Sequence, residues 1–404
     1  MKSIAFLIVS LMISANSFSQ DFWYAVDSVN GPGRSVAASF MCLKQGWVVS
    51  GLNDTGFKRK MYSYDPVQND WDDEQPIGGV NGDGLERGSA TGFSLLNKGY
   101  VCLGQGDFTP YSSDLWEYDP ITEAWSQKSD FIGDPRTQAV GFTINDVAFV
   151  GTGLAASGLK KDFFKYDPTT NTWSQIADFG GTARRQATAF TIGADGYVGT
   201  GDDGILKNDF WNYNASANTW TQKASFPGTP RSGAVSWGTA TYGVIGLGED
   251  NTFAYKKDMW QYYFYSNTWV QRLDFVGSPR KNAIAFYIDG IAYVGTGYDG
   301  DFKDDLYAYV GIVGLNENKL EYTSTAFPNP VQGELTIDLG DISASEVDLK
   351  VFNIKGIEVG NKIDVLEQGN KKVVNVLSLS KGHYIYRLTT VNSTQFSTGK
   401  FVKL

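Results

Sequence analysis

The stretch from Arg136 to Gly181, RTQAVGFTINDVAFVGTGLAASGLKKDFFKYDPTTNTWSQIADFGG, is one copy of a unit that returns, with substitutions, up to about residue 311. A period of about fifty residues marks supersecondary units that must stack to bury their apolar faces, so the period governs every later reading. Three landmarks set its register. An arginine is followed six residues later by an aromatic: Arg34 with Phe40, Arg87 with Phe93, Arg136 with Phe142, Arg184 with Phe190, Arg231 with Trp237 and Arg280 with Phe286. A glycine pair follows, as LGQG to Gly106, VGTG to Gly153 and Gly201, IGLG to Gly248 and VGTG to Gly297, while the first copy has only VVSG to Gly51. The last glycine falls 17 residues after the arginine in five copies and 19 in the second. An aromatic strand then closes at Trp71, Trp125, Trp173, Trp220 and Trp269.

The sixth copy, DDLYAYV from Asp304, lacks this tryptophan. Trp23, however, precedes Arg34 by 11 residues, the step that separates Trp125, Trp173, Trp220 and Trp269 from the next arginine. The spacing predicts a closed ring of six units in which the segment from Asp21 to about Val29 supplies the last outer strand. Such sealing removes an exposed strand edge. Runs such as TINDVAFVGTG and KDFFKYDP alternate β-branched and aromatic residues between Asp-Pro, Asn-Thr and Gly-Gly turn signals, which predicts four short strands per unit.

The formal charge is −10. From Val313 onward ten acidic and ten basic side chains cancel, so the acidity belongs to the repeats and argues against nucleic acid or an anionic membrane as the main partner. The opening MKSIAFLIVSLMISANSFSQ has Lys2, an apolar run and small residues at Ser17 and Ser19, the layout of a signal peptide over residues 1–19. No later apolar run is long enough to span a membrane, so no transmembrane segment is expected after its removal. For Cys42 and Cys102 both a disulfide and a pair of buried, inert thiols stand open.

The glycine pair, the Tyr-Asp-Pro turn and the tryptophan about six residues beyond it make residues 20–312 similar to the kelch family of β-propellers. The resemblance implies an all-β fold, a six-bladed kelch-type β-propeller closed by the N-terminal strand. The adjacent glycines common in that family are split here as G-T-G, G-Q-G or G-L-G. After a linker at 313–325, alternation at Leu335, Ile337 and Leu339 and at Val347, Leu349 and Val351 predicts a small Ig-like β-sandwich over 326–404. Its Phe327-Pro328-Asn329-Pro330, Val351-Phe352-Asn353-Ile354-Lys355-Gly356, Leu379-Ser380-Lys381-Gly382-His383-Tyr384 and Lys400-Phe401-Val402-Lys403 resemble the C-terminal sorting domain of the type IX secretion system. That resemblance implies the type IX machinery as a partner, and a place outside the cell or on the outer-membrane surface of a Bacteroidetes-like, Gram-negative bacterium.

In a four-stranded meander the arginine, the glycine pair and the aspartate before the third strand share one face. The six arginines are therefore expected to ring one mouth, near Asp114, Asp162, Asp209, Asp258 and Asp305, with Lys60 at the first copy's equivalent. Each arginine serves either as a staple between neighbouring blades or, as in kelch adaptors that grip acidic peptides, as a ligand-binding residue. The loops between second and third strands, NDTGFKRK, DFTPYSS, LAASGLKK, DDGILKN, EDNTFAYKK and YDGDFKD, differ most between copies. Their Phe57, Phe108, Tyr111, Phe253, Tyr255, Tyr298 and Phe302 are expected to be exposed and suited to stacking on sugar rings or apolar side chains.

Asp202-Asp203, Glu249-Asp250 and Asp299 with Asp301 have no calcium-loop spacing, and no metal is assigned. Some kelch propellers are copper-radical oxidases resembling galactose oxidase, which need two histidines. The single His383, read as a turn residue in the tail, excludes that chemistry and a histidine base. No catalytic residue and no cofactor are assigned. The expectation is an exported, non-catalytic binding module for a glycan or an extracellular protein. The alternatives are a structural envelope component and a carbohydrate-active enzyme, either a glycosidase or a sialic-acid mutarotase resembling other bacterial six-bladed kelch proteins. Either enzyme would need a mouth carboxylate of raised pKa.

Overall fold

A computed structural model describes residues 21–79, 82, 85–311, 324–340, 342–353, 359, 363–390 and 396–404. The expected signal peptide and most of the expected linker lie outside them. The chain divides into two compact units, Met1–Ile312 and Val313–Leu404.

The alternation in TINDVAFVGTG and KDFFKYDPTTNTW becomes the strands Val140–Ile144, Val147–Gly151, Phe163–Asp167 and Thr172–Gln175, an antiparallel meander. Five further four-stranded sheets repeat the plan among the described residues. In the last, Ile284–Ile288, Ile291–Gly295 and Leu306–Val310 come from the C-terminal end of the array and Phe22–Val26 from the start of the described chain. Trp23 pairs with Tyr309 in that ladder, as the 11-residue spacing predicts. The innermost strands pack each on the next, and the sixth packs on the first, so the sheets form a closed cycle.

Aromatic side chains and small residues interlock the sheets. Phe142 stacks on Phe149 of its own sheet at 5.3 Å. A Cβ on Gly196 of the next sheet would lie 2.1 Å from the Phe142 ring, so only glycine fits beneath it. Each outer tryptophan donates its indole N–H to a backbone carbonyl at the end of the preceding sheet: Trp71 to Asp27, Trp125 to Gln75, Trp173 to Ser129, Trp220 to Ala177 and Trp269 to Ala224, at 2.8–3.1 Å. Trp23 completes the series with Leu273 at 3.4 Å.

Cys42 and Cys102 are free and buried, which decides that question for two separate thiols. Burial pushes the Cys42 thiol up to about 12, so it is unreactive at neutral pH.

Among its described residues the second unit holds two antiparallel sheets, one of four strands and one of three, around a shared core that includes Leu335, Ile337, Val347, Val351, Tyr386 and Phe401. Asn329 joins two of the motifs read from the sequence: its side-chain amide donates to the Lys400 carbonyl at 3.0 Å and its oxygen accepts from the Val402 amide at 2.9 Å. His383 lies within the strand Gly382–Thr390 rather than in a turn, because the strand begins directly after the Ser-Lys pair. Residues 354–356 of the second motif lie outside the described residues.

Candidate functional site

The six arginines do gather on one mouth, just ahead of the inner strands, and all are at most 3% exposed. In five repeats the guanidinium grips the expected aspartate of its own sheet: Arg87 with Asp114, Arg136 with Asp162, Arg184 with Asp209, Arg231 with Asp258 and Arg280 with Asp305. Arg184 shows the pattern. Nε donates to the Thr182 carbonyl at 3.1 Å, Nη1 to the Thr200 carbonyl at 2.9 Å, and Nη1 and Nη2 take both oxygens of Asp209 at 2.5 and 2.8 Å. The ring of Phe179 lies under the guanidinium at 4.9 Å. Burial alone would raise the Asp209 carboxyl, but the hydrogen bonds and charge of Arg184 outweigh it and hold the group below the usual carboxylate range.

This corrects the expectation that the ion pair ties neighbouring units. The carboxylate and the carbonyl that Nη1 binds lie in the arginine's own repeat, while the ring beneath the guanidinium, Phe179 for Arg184, comes from the end of the preceding copy. The tie between neighbours is made by the arginine's backbone. Each arginine amide donates to a carbonyl of the preceding unit, from Lys303, Lys58, Ser112, Lys160, Lys207 or Lys256, at 2.9–3.2 Å. Each arginine carbonyl accepts the amide of a glycine in that same preceding unit, at 2.7–2.9 Å. These glycines are Gly51, Gly104, Gly153, Gly201, Gly248 and Gly297, all with φ between 95° and 106°, a conformation open chiefly to glycine. In the second repeat the landmark glycine is thus Gly104 and not Gly106, which restores the 17-residue step and removes the apparent insertion.

Two residues beyond each arginine the chain forms an inner collar. The amides of Val36, Ser89, Gln138, Gln186, Gly233 and Asn282 each donate to the carbonyl of the preceding member, in an unbroken cycle at 2.8–3.2 Å. The collar and the alanines that follow it line a channel opening of 160 Å³.

The rim outside the collar is unequal around the ring. In the first three repeats Ser35 faces Leu52, Gly88 faces Gln105 and Thr137 faces Leu154. The last three present Arg185 bonded to Asp202 at 3.0 Å, and Glu249 bonded to Lys281 at 2.6 Å. Tyr255, Tyr298 and Phe302 come together on that side, with ring centroids 6.3 and 5.1 Å apart and Lys281 lying 5.5 Å over Tyr255.

The loop aromatics divide into two groups. Phe108 is 90% exposed and Phe253 is 83% exposed. Phe57, Tyr111, Tyr255, Tyr298 and Phe302, expected to be exposed, are half-buried because their loops fold back onto the rim; Phe57, for example, lies against Gly88. Ile205, 73% exposed at the fourth loop, is an additional apolar tip that a search restricted to aromatics misses. Tyr111 lines a groove of 430 Å³ with Pro110, Asp134, Pro135, Ala156 and Ser157.

The loop acids are matched by lysines. Asp203 bonds Lys207, Asp250 bonds Lys256 and Asp299 bonds Lys303. At Asp203 burial works to raise the carboxyl, yet Lys207, Thr182 and the Ile205 amide bring it down to about 2. Among the described residues no group of metal-ligating side chains is placed to hold an ion.

Residues 325–403 match the secretion system C-terminal sorting domain. The match implies the type IX machinery as a partner and a secreted or cell-surface protein. No curated protein matches the chain. The solved structure of YjhT is similar at 15% identity with a TM-score of 0.57, over 71% of this chain and 95% of that one. At this identity the likeness speaks for the fold, and it supports a β-propeller.

Proposed function

We propose that residues 20–312 form a six-bladed kelch-type propeller, closed by the N-terminal strand, that acts as a non-catalytic binding module for a glycan or an extracellular protein. On this reading residues 1–19 direct the chain out of the cytoplasm, and the sorting domain carries it across the outer membrane. The observation that carries the reading is the division of labour at the mouth. Recurring positions are consumed by the scaffold, while unlike loops hold Phe108 and Phe253 almost wholly in solvent. Large apolar side chains presented this way on a rigid frame suit recognition.

Neither Asp203 nor Asp299 suits the role of a general acid. A general acid needs a raised carboxyl, whereas Asp203 and Asp299 are both held low despite burial, chiefly by hydrogen bonds from Thr182 and Lys207 in one case and Ser278 and Lys303 in the other. The test is to immobilise the full mature chain and screen it against glycans and secreted proteins, with parallel assays for glycoside hydrolysis and sugar anomerisation. A specific ligand without turnover is expected. Turnover abolished by replacing one mouth carboxylate would overturn the proposal.

A further inference from the structure

The second repeat departs from its siblings in the loop that leads to the next arginine. Where the other loops offer Lys58, Lys160, Lys207, Lys256 and Lys303 to the next arginine's amide, it offers Ser112, reached through Thr109-Pro110-Tyr111. The backbone tie survives, so the scaffold has no need of this segment's chemistry. It builds instead the wall of the 430 Å³ groove.

That groove has two sides. Pro110, Tyr111, Pro135 and Ala156 make it apolar, while Asp134 and Ser157 bring polar atoms to the same space. The Asp134 carboxylate accepts a hydrogen bond from the Ser157 hydroxyl at 2.7 Å and an ion pair from Lys160. Hydrogen bonds from Lys160 and Ser157 hold the carboxyl below its usual range, which keeps it an acceptor. A pyranose ring has the same two-sided character: a C–H face that packs on aromatic and proline carbons, and a rim of hydroxyls that bridge carboxylate, hydroxyl and ammonium. Tyr111 also lines a second pocket of 250 Å³, with Glu86, Thr109 and Asp114 among its walls. The acids around both pockets already have cationic partners, Lys160, Arg59 and Arg87. The lining therefore offers no surplus positive charge for an anionic sugar.

We propose that the groove between the second and third repeats binds a neutral oligosaccharide, with Tyr111 as the wall shared by two adjacent pyranose subsites. The inference rests on the binding reading above and assigns it a place and a ligand class.

The test is calorimetric titration of the full mature chain with cellotetraose, chitotetraose and mannotetraose, and with sialyllactose as the anionic comparison. At least one neutral tetraose binds; Tyr111→Ala weakens it about tenfold or more; Ile121→Ala, on an exposed hairpin at the opposite end of the strands, leaves it unchanged. Thermal unfolding of both variants establishes that they fold. Tetraose binding that survives Tyr111→Ala overturns this site and leaves the loop-face reading standing. Failure of all three tetraoses, or preference for sialyllactose, overturns the neutral-glycan assignment. Failure of the broad glycan and protein screen is the separate result that removes the binding reading itself.

Discussion

The first and fourth repeats use the same arginine in different company. Arg184 has a carboxylate, two carbonyls and a phenylalanine ring around it. Arg34 is 2% exposed, yet Lys60 stands where the aspartate would be. It has the Ser50 carbonyl at 3.2 Å and the Tyr62 ring at 4.6 Å, while its buried Nε has no hydrogen-bond partner. Burial pulls the Arg34 pKa below its ordinary value, against the opposing pull of Tyr62. Both arginines nonetheless give their backbone amide and carbonyl to the preceding unit in the same way. The ring thus depends on the arginine's main chain, and the carboxylate is a local device that makes the buried charge tolerable.

The largest test of this contrast is Asp209→Ala. It strands the fully buried Arg184 charge and is expected to cost about 3–5 kcal/mol, read from the urea midpoint. A loss below about 1 kcal/mol would mean that the guanidinium is as self-sufficient there as in the first repeat. Trp23→Ala probes the sixth repeat, whose outer strand comes from the N-terminal end. It removes ring contacts to Phe275 and Tyr309, 5.1 and 4.7 Å away, and is expected to cost about 3 kcal/mol. Trp173→Ala is the matching change within a sequence-continuous sheet, and a far smaller loss for Trp23 would break the equivalence of the six units. Lys60→Asp gives Arg34 the partner its siblings have and is expected to stabilise the chain by about 1 kcal/mol in the same assay.

The smallest effect is the pH dependence of the arginine–aspartate pairs. Asp209 and Asp258 titrate below their unfolded value of about 3.9. Their contribution is complete above that value and is lost as pH falls through the lower folded-state value. Stability should therefore fall with acid below about pH 4, and less steeply in Asp209→Asn. Lys60→Asp should steepen the decline.

The fold was largely legible because packing and turn demands recur at fixed steps: the arginine, the glycine 17 residues on, and the tryptophan 11 residues before the next arginine. Trp23 even located the closing strand. The interblade ties were not legible, because they run through amides and carbonyls that every residue has. What sets them apart is a left-handed glycine whose register the extra glycine of LGQG obscured. Asn171 shows a middle case. Its side-chain oxygen accepts from the Tyr166 hydroxyl and the Ser129 amide, both at 2.9 Å, and an asparagine stands two residues before the tryptophan in four of the five complete repeats. At the candidate site the residue types were readable but their exposure was not, since Tyr255, Tyr298 and Phe302 are covered by one another across two loops.

The central claim is that unlike loops bind while recurring positions build. It is tested most directly by measuring the affinity of whichever ligand the screen identifies for three forms of the full mature chain: unmodified, Phe108→Ala with Phe253→Ala, and Ile121→Ala. Ile121 is 81% exposed on a hairpin at the opposite end of the strands. The account predicts that the double variant loses about tenfold or more in affinity while Ile121→Ala binds as before. Full affinity in the double variant, with loss in Ile121→Ala, would contradict it.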